Sequence, residues 1–583
     1  MFEVIYDSQE LEYKRPFGAI PINADVEFKI KANHKCKAKM IFNSSLGKEE
    51  YDLECLRQDR DYFIYYLKLN TSKYIGPIFY YFKFQVEDKI YYYSNNEELQ
   101  GGIGKLSSIK PKGHYHFYVY DLKYKVPEWF KTGITYHIFV DRFNNDSSTL
   151  ETVDKELWKV YGGNLKGIIN KLDYLKDLGV SIIYLSPIFE SESHHKYDVE
   201  DYKKITSDFG DLETFKELVS EMKKRDMHLI LDGVFNHSGS NSKYFNKYSK
   251  YETIGAYQSK ESPYFDWYTF NSFPDDYQCW NGIDTLPEHK QDNEDFLYYL
   301  LFNQDSIVNY WMNLGVEGWR LDAADLLTDD FLRKVYAVAK KNNPNSVIIG
   351  ELWNDGTNFR YHTENEIHEY MCGCELESVT NYPLHGLILQ YSNGEYDSAR
   401  FIKGFYSLLE NYPIEYFYSL LNFLGTHDIE RVYHLLEGNV DYLKLAILLS
   451  LSLPGVPLIY YGDEAGLDGA GDPDNRRPFP WTNINSEIYN HYRSMCHMRN
   501  NNDAFKRGSI YFVENSDFLI FKRSYENENI YVILNNSTEK ELNLSILSND
   551  DIKLKNLENN EVYDIKDKLS FDGFSYKILL EQI

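Results

Sequence analysis

The sequence predicts an α/β protein: a (β/α)8 TIM barrel with a long excursion after its third strand, flanked by an amino-terminal β-sandwich and a carboxy-terminal antiparallel β domain. Three observations carry this. From about residue 126 to 502, short apolar strand-like runs alternate with stretches of helical periodicity. That order builds a parallel sheet and, at this length, most economically a closed barrel. On either side the apolar period is two, as in antiparallel strands. The chain is also too long, at 583 residues, for a single core.

Residues 1–125 alternate in the manner of a sandwich. Val26, Phe28 and Ile30 are separated by charged residues, and Tyr62 to Leu69, Ile78 to Val86 and Phe117 to Tyr120 are aromatic and β-branched runs between turns. Its aromatics suit either packing or a binding face. Val126-Pro127-Glu128-Trp129 marks the boundary. The strands expected next are Thr135 to Val140, Val180 to Leu185, His228 to Val234, Trp319 to Leu321, Val347 to Ile349, Leu421 to Gly425 and Val456 to Tyr460. Between the first strands, Leu165, Ile168, Leu172, Leu175 and Leu178 keep helical spacing, as do Phe215, Leu218 and Met222. The stretch of about 238–295 is rich in Tyr, Asp and Ser and aperiodic, and reads as a wall over the site. From about residue 503, Ser509 to Val513, Phe518 to Phe521, Ile530 to Leu534 and Leu542 to Ile546 read as the strands of the last domain.

Composition excludes several classes. A net charge of −27 argues against nucleic-acid partners. The amino terminus lacks a basic stretch followed by an apolar one, and no run of about 18 apolar residues is present, so neither secretion nor a membrane span is expected. Six scattered cysteines, with Cys372-Gly373-Cys374 forming no CxxC pair, suit free thiols in a reducing cytoplasm. Aromatic content is 16%, with 53 tyrosines, a residue whose flat face and hydroxyl suit sugars as well as cores.

The polar residues with chemistry in them fall where a barrel puts its active site, at the carboxyl ends of the strands. After the third strand come Asp232, Asn236 and His237; after the fourth, Arg320 and Asp322; after the fifth, Glu351 and Trp353; after the seventh, His427 and Asp428. Arg320 and Asp322, two apart on a strand, share a face. The guanidinium is expected to hold Asp322 ionised, as a carboxylate nucleophile requires. Singly, each residue is as well explained by a salt bridge, a helix-terminal charge or a satisfied core histidine. Together and in strand order they point to a pair of carboxyls acting on a glycosidic bond.

These segments resemble the α-amylase family, glycoside hydrolase family 13. The further motifs are Tyr136-His137-Ile138-Phe139-Val140-Asp141-Arg142-Phe143, Gly162-Gly163-Asn164-Leu165, His194-His195-Lys196-Tyr197-Asp198, Tyr460-Tyr461-Gly462-Asp463-Glu464 and Asp472-Pro473-Asp474-Asn475-Arg476-Arg477-Pro478. Within the family the chain is most similar to the neopullulanase, cyclomaltodextrinase and maltogenic amylase group. The resemblance implies that Asp322 is the nucleophile, Glu351 the general acid/base and Asp428 the third carboxylate. It implies that His237 and His427 bind sugar hydroxyls, that Tyr197 stacks beneath the ring, and that Asp472 and Arg476 hold the next glucose. Asp232, Arg320 and Trp353 are expected to complete the binding site.

The activity implied is hydrolysis of maltooligosaccharides, cyclodextrins or pullulan with retention, and transfer as a variation. The alternatives are an oligosaccharide α-glucosidase of the same family and a glucan-binding barrel without activity. The partner expected is an α-glucan oligosaccharide, with a homodimer left open by the resemblance. No cofactor is expected. The family's calcium loop is altered here, reading Asn144-Asn145-Asp146-Ser147-Ser148 with Asn164 after Gly163, which offers too few carboxylates for a calcium site. His194-His195 is not read as a metal site. Asp325-Leu326 and Pro287-Glu288-His289-Lys290 also depart from the family pattern, on the acceptor side.

Overall fold

The computed structural model of the protein describes residues 2–147, 150, 157–358 and 368–582. Ser148, part of the loop read for calcium ligands, lies outside them. The chain forms two compact units: Met1–Lys125 with Asn354–Glu377 and Ala399–Tyr418, and Val126–Trp353 with Ser378–Ser398 and Ser419–Ile583.

The first unit is a sandwich. In one sheet Asp25–Ala32 pairs with Tyr62–Asn70; in the other Lys37–Ser44 and Tyr115–Tyr120 flank Gly76–Val86. Val26, Phe28 and Ile30 share one core with Met40, Phe42, Tyr80, Phe82 and Phe117. The intervening Glu27, Lys29 and Lys31 remain partly exposed, as the period of two requires. The later segments of this unit were not legible in the sequence. Met371 N–H donates to the Tyr118 hydroxyl at 3.1 Å. Lys14, fully buried, donates to the Gly18 carbonyl at 2.8 Å and faces Glu410 at 4.0 Å.

The second unit holds the barrel. Its strands are β1 (Thr135–Ile138), β2 (Ile182–Leu185), β3 (His228–Gly233), β4 (Gly318–Leu321), β5 (Val347–Gly350), β6 (Ser378–Val379), β7 (Leu421–Phe423) and β8 (Val456–Tyr460). All neighbours are parallel, in the order β6-β5-β4-β3-β2-β1-β8-β7. A parallel bridge between Thr380 and Leu421 joins the two ends. The strands are buried almost throughout, which is why they read as apolar runs rather than alternating ones.

The helices end where their chemistry says. The first periodic stretch is two pieces, Leu165–Ile169 and then α1 (Leu172–Leu178), and α1 stops at Gly179, whose φ of 101° is left-handed. In α2 (Leu212–Lys223) Phe215, Leu218 and Met222 are buried and the Asp211 carboxylate accepts from Thr214 N–H. In α3 (Asp329–Asn342) Thr328 caps the first turn, acidic Asp329 and Asp330 face the helix's positive end, and Lys340 and Lys341 its negative end. α4 (Tyr382–Ser392) follows β6 and is capped by Asn381.

The excursion between β3 and β4 contains little regular structure, a two-stranded hairpin of Phe270–Ser272 and Asp276–Tyr277 and short single turns. The carboxy-terminal strands form a six-stranded sheet and a separate two-stranded one. Several expected strands are shorter than read, and two of them give way to a helical turn. The first ends at Ile138 and a helical turn, Val140–Phe143, follows it. The strand placed at Leu542 to Ile546 is Lys540–Asn543, after which Asn543 caps a 3-10 turn at Leu544–Ile546 and ends the pairing.

Candidate active site

The carboxyl ends of the strands open on a cavity of about 670 Å³. Asp322, Glu351 and Asp428 line it, together with Tyr197, His237, His427, Trp353, Asp472 and Arg476. Asp232 and Arg320 lie beneath, 1% and 3% exposed, and are not among the lining residues.

Arg320 organises the floor. Its Nη1 donates to both oxygens of Asp232, at 3.0 and 3.1 Å, and to Asp322 Oδ1 at 2.9 Å, while Nη2 lies 3.0 Å from Glu351 Oε2. Tyr184 and Tyr197 both donate their hydroxyls to Asp232 Oδ2. Glu351 Oε2 also accepts from Ala323 N–H at 2.8 Å, and its Oε1 from Trp353 Nε1 at 3.2 Å. Ala323, directly after Asp322, has φ of 46°, a left-handed backbone that aims this N–H at Glu351.

The electrostatics correct one expectation. Arg320 does not hold Asp322 low. Burial and the neighbouring Glu351 push the Asp322 carboxyl well above the usual range, against the pull of Arg320. The physical reason is that one guanidinium is divided among three carboxylates and cannot offset the loss of water around each. Burial, then Glu351, raises Asp428 to about 7. Asp322 and Asp428 thus both hold a proton more tightly than a carboxyl in water does.

Burial holds both histidines toward the neutral form. Burial lowers His237 to about 4, and neither of its ring nitrogens has a hydrogen-bond partner. Burial, helped by His137, lowers His427 well below the ordinary histidine value. Its Nε2 is 3.3 Å from Asp428 Oδ1 and its Nδ1 has no partner. Unpaired buried polar atoms on a cavity wall are groups a polyhydroxylated ligand would satisfy. Tyr197 lies parallel to the His427 ring, 4° between planes, with centroids 5.1 Å apart. At the rim Arg476 Nη1 pairs with Asp472 Oδ1 at 3.1 Å, and its Nε donates to the His427 carbonyl at 2.9 Å.

Several cavity residues have no counterpart in the sequence reading. Trp280, from the excursion, packs near His237, and Trp158 stands 64% exposed at the rim. Both sit in aperiodic sequence, where a tryptophan carries no positional signal. Of the departing segments, His289 is buried, its Nδ1 3.1 Å from the Phe235 carbonyl, and so serves packing. Asn164 Nδ2 donates to Asp146 Oδ1 at 2.9 Å, so the altered loop spends its carboxylate internally. Among the described residues no group of three or more His, Cys, Asp or Glu is arranged to hold a metal ion.

Residues 137–486 match the α-amylase catalytic domain. A cyclomaltodextrinase of Thermoanaerobacter pseudethanolicus is 32% identical over 85% of this chain and 86% of its own. An amylopullulanase of Thermoanaerobacter thermohydrosulfuricus is 32% identical over 92% of this chain but only 42% of its own length, so the chain spans less than half of that relative. A solved cyclomaltodextrinase superposes over 99% of both chains with a TM-score of 0.73; at 24% identity that likeness bears on the fold. The chain therefore belongs to the α-amylase family of glycoside hydrolases, family 13.

Proposed function

We propose that this protein is a retaining α-glucan hydrolase acting on maltooligosaccharides, cyclodextrins or pullulan, with Asp322 as nucleophile, Glu351 as general acid/base and Asp428 as the carboxylate that supports the transition state. The observation that carries this is the single guanidinium of Arg320 in contact with both Asp322 and Glu351 at the edge of one sugar-sized cavity. Two carboxyls braced by one side chain favour the short spacing of retaining enzymes, about 5–5.5 Å, over the wider one of inverting enzymes.

An Asp322 oxygen attacks the anomeric carbon while Glu351 gives its proton to the departing glycosidic oxygen. The glycosyl–Asp322 ester then breaks as water, losing a proton to Glu351, attacks the same carbon. A sugar hydroxyl in place of water gives transfer. His237, His427 and Tyr197 would meet the ring being cleaved, and Asp472 and Arg476 the glucose beyond it. Names of relatives such as cyclomaltodextrinase and amylopullulanase support this range of substrates. A reducing cytoplasm and a homodimer belong to the same reading. The former is supported by Cys36, Cys55, Cys279 and Cys496 standing as free thiols.

The test is Glu351→Gln. It should lose nearly all activity on maltotriose yet still react with α-glucosyl fluoride, whose leaving group needs little acid help, and azide should speed release. Full activity on maltotriose would remove the assignment. Proton NMR of the first product should show the α-anomer. Products from panose and γ-cyclodextrin would separate this reading from an α-glucosidase releasing single glucose units.

A further inference from the structure

The Glu351 carboxyl is held by more than its own strand. Trp353, whose Nε1 reaches Glu351 Oε1, is 47% exposed and lies flat on Tyr382, with ring centroids 4.3 Å apart and planes 12° from parallel. Tyr382 opens α4, just beyond β6. Its ring meets Phe423 of β7 edge-on at 4.7 Å. Its hydroxyl is 3.5 Å from Thr426 Oγ1, and that oxygen accepts from Asp428 N–H at 3.2 Å. Thr380 adds a second tie between the loops after β5 and β6, its Oγ1 accepting from Leu352 N–H and donating to Leu352 O. A packed path thus runs from Glu351 through Trp353 and Tyr382 to Asp428.

We propose that Tyr382 is a positioning residue for the acid/base: it backs the Trp353 indole, which in turn fixes the Glu351 carboxyl toward the glycosidic oxygen. The inference rests on the reading of Glu351 given above. An indole with half its surface in water has other rotamers open to it unless something flat and fixed lies behind it. Tyr382 is fixed, wedged between Trp353 and Phe423. Stacked aromatics hold such an arrangement with few torsions to freeze. The stake is the aim of the proton, since a misplacement of about 1 Å in a reacting group can cost about 10²-fold in rate.

The experiment compares two leaving groups. Tyr382→Ala should lower kcat on maltotriose by about 10- to 10²-fold with little change in KM, while the rate of the first fluoride release from α-glucosyl fluoride, which forms the glycosyl-enzyme without acid help, stays within about threefold of the parent enzyme. Tyr382→Phe, which keeps the stack, should restore maltotriose turnover. Trp353→Phe keeps a ring on Tyr382 but removes the N–H, and should reproduce the split even if Tyr382→Ala folds poorly. Equal losses on both substrates, or a rise in KM alone, would make the stack a structural prop or a sugar platform and overturn the proposal. Glu351→Gln is run alongside. If it shows no split, the acid/base reading itself fails; if it does and neither aromatic variant follows, only the positioning role falls.

Discussion

Two sets of buried arginines in the second unit do opposite work. Arg320 lies under the cavity and spends its guanidinium on the carboxylates of Asp232, Asp322 and Glu351. Arg499 and Arg523 lie where the helix Ser486–Asn501 and the carboxy-terminal sheet meet the barrel, and each donates to three main-chain carbonyls. Arg499 bonds Leu451, Phe505 and Gly455; Arg523 bonds Ser452, Phe505 and Gly508. The same planar fork thus assembles like charges at one place and satisfies backbone acceptors at the other. The difference teaches that burial of an arginine does not mark a site; what its N–H groups meet does.

That contrast can be broken by mutation. The largest effect should come from Asp322→Asn, which removes the nucleophile while keeping a side chain for Arg320 to bond. Turnover should fall at least about 10⁴-fold with no loss of thermal stability. Substantial activity in pure protein would move the nucleophile elsewhere. Next, Arg320→Lys replaces a fork by a point charge that cannot reach three carboxylates, and kcat should fall about 10²–10³-fold. A lysine variant as fast as the parent would show that charge alone suffices.

Arg523→Met should do the reverse. Stripped of their donor, the Ser452, Phe505 and Gly508 carbonyls lose a partner in the interior, at a cost of about 1–3 kcal/mol, read in denaturant melts. Activity per folded molecule should not change. A change in kcat without loss of stability would join the two regions functionally and end the contrast.

The smallest effect is the subtlest. Asp428 is pushed up to about 7, against about 3.9 in an unfolded chain. A carboxyl that holds its proton more tightly in the fold favours the fold fully below the unfolded value, and that contribution is lost as pH rises to about 7. Asp428→Asn, neutral throughout, should therefore be more stable than the parent at pH 8, by on the order of 1 kcal/mol, and equal to it near pH 4. An identical offset at both pH values would deny that the cluster is strained by its own charge.

Much of this could be read from the chain because strand ends write their chemistry locally. Asp232, Arg320, Asp322, Glu351 and Asp428 each follow an apolar run that a buried parallel strand makes unmistakable. What escaped is what lacks a period. β6 has two residues, Ser378–Val379, too few to show any alternation, so Tyr382 beyond it carried no signal. Trp280 belongs to a loop set by tertiary packing alone. The behaviour of Asp322 escaped for another reason: adjacency in sequence shows Arg320 beside it, but not the other two carboxylates that share that guanidinium. Nor did the sequence suggest that segments near residues 354–377 and 399–418 belong with the amino-terminal sandwich.

That last feature sets a timetable for synthesis. The sandwich core draws only on residues between Val4 and Val119, so it can close soon after they emerge from the ribosome. Its unit is completed by Asn354–Glu377 and Ala399–Tyr418. At ~5–20 residues per second these follow roughly 10–60 s later. Until then the Tyr118 hydroxyl lacks the Met371 N–H and Lys14 lacks Glu410. The sandwich is thus born as a finished core with an unfinished surface, and the barrel's own middle supplies the missing piece.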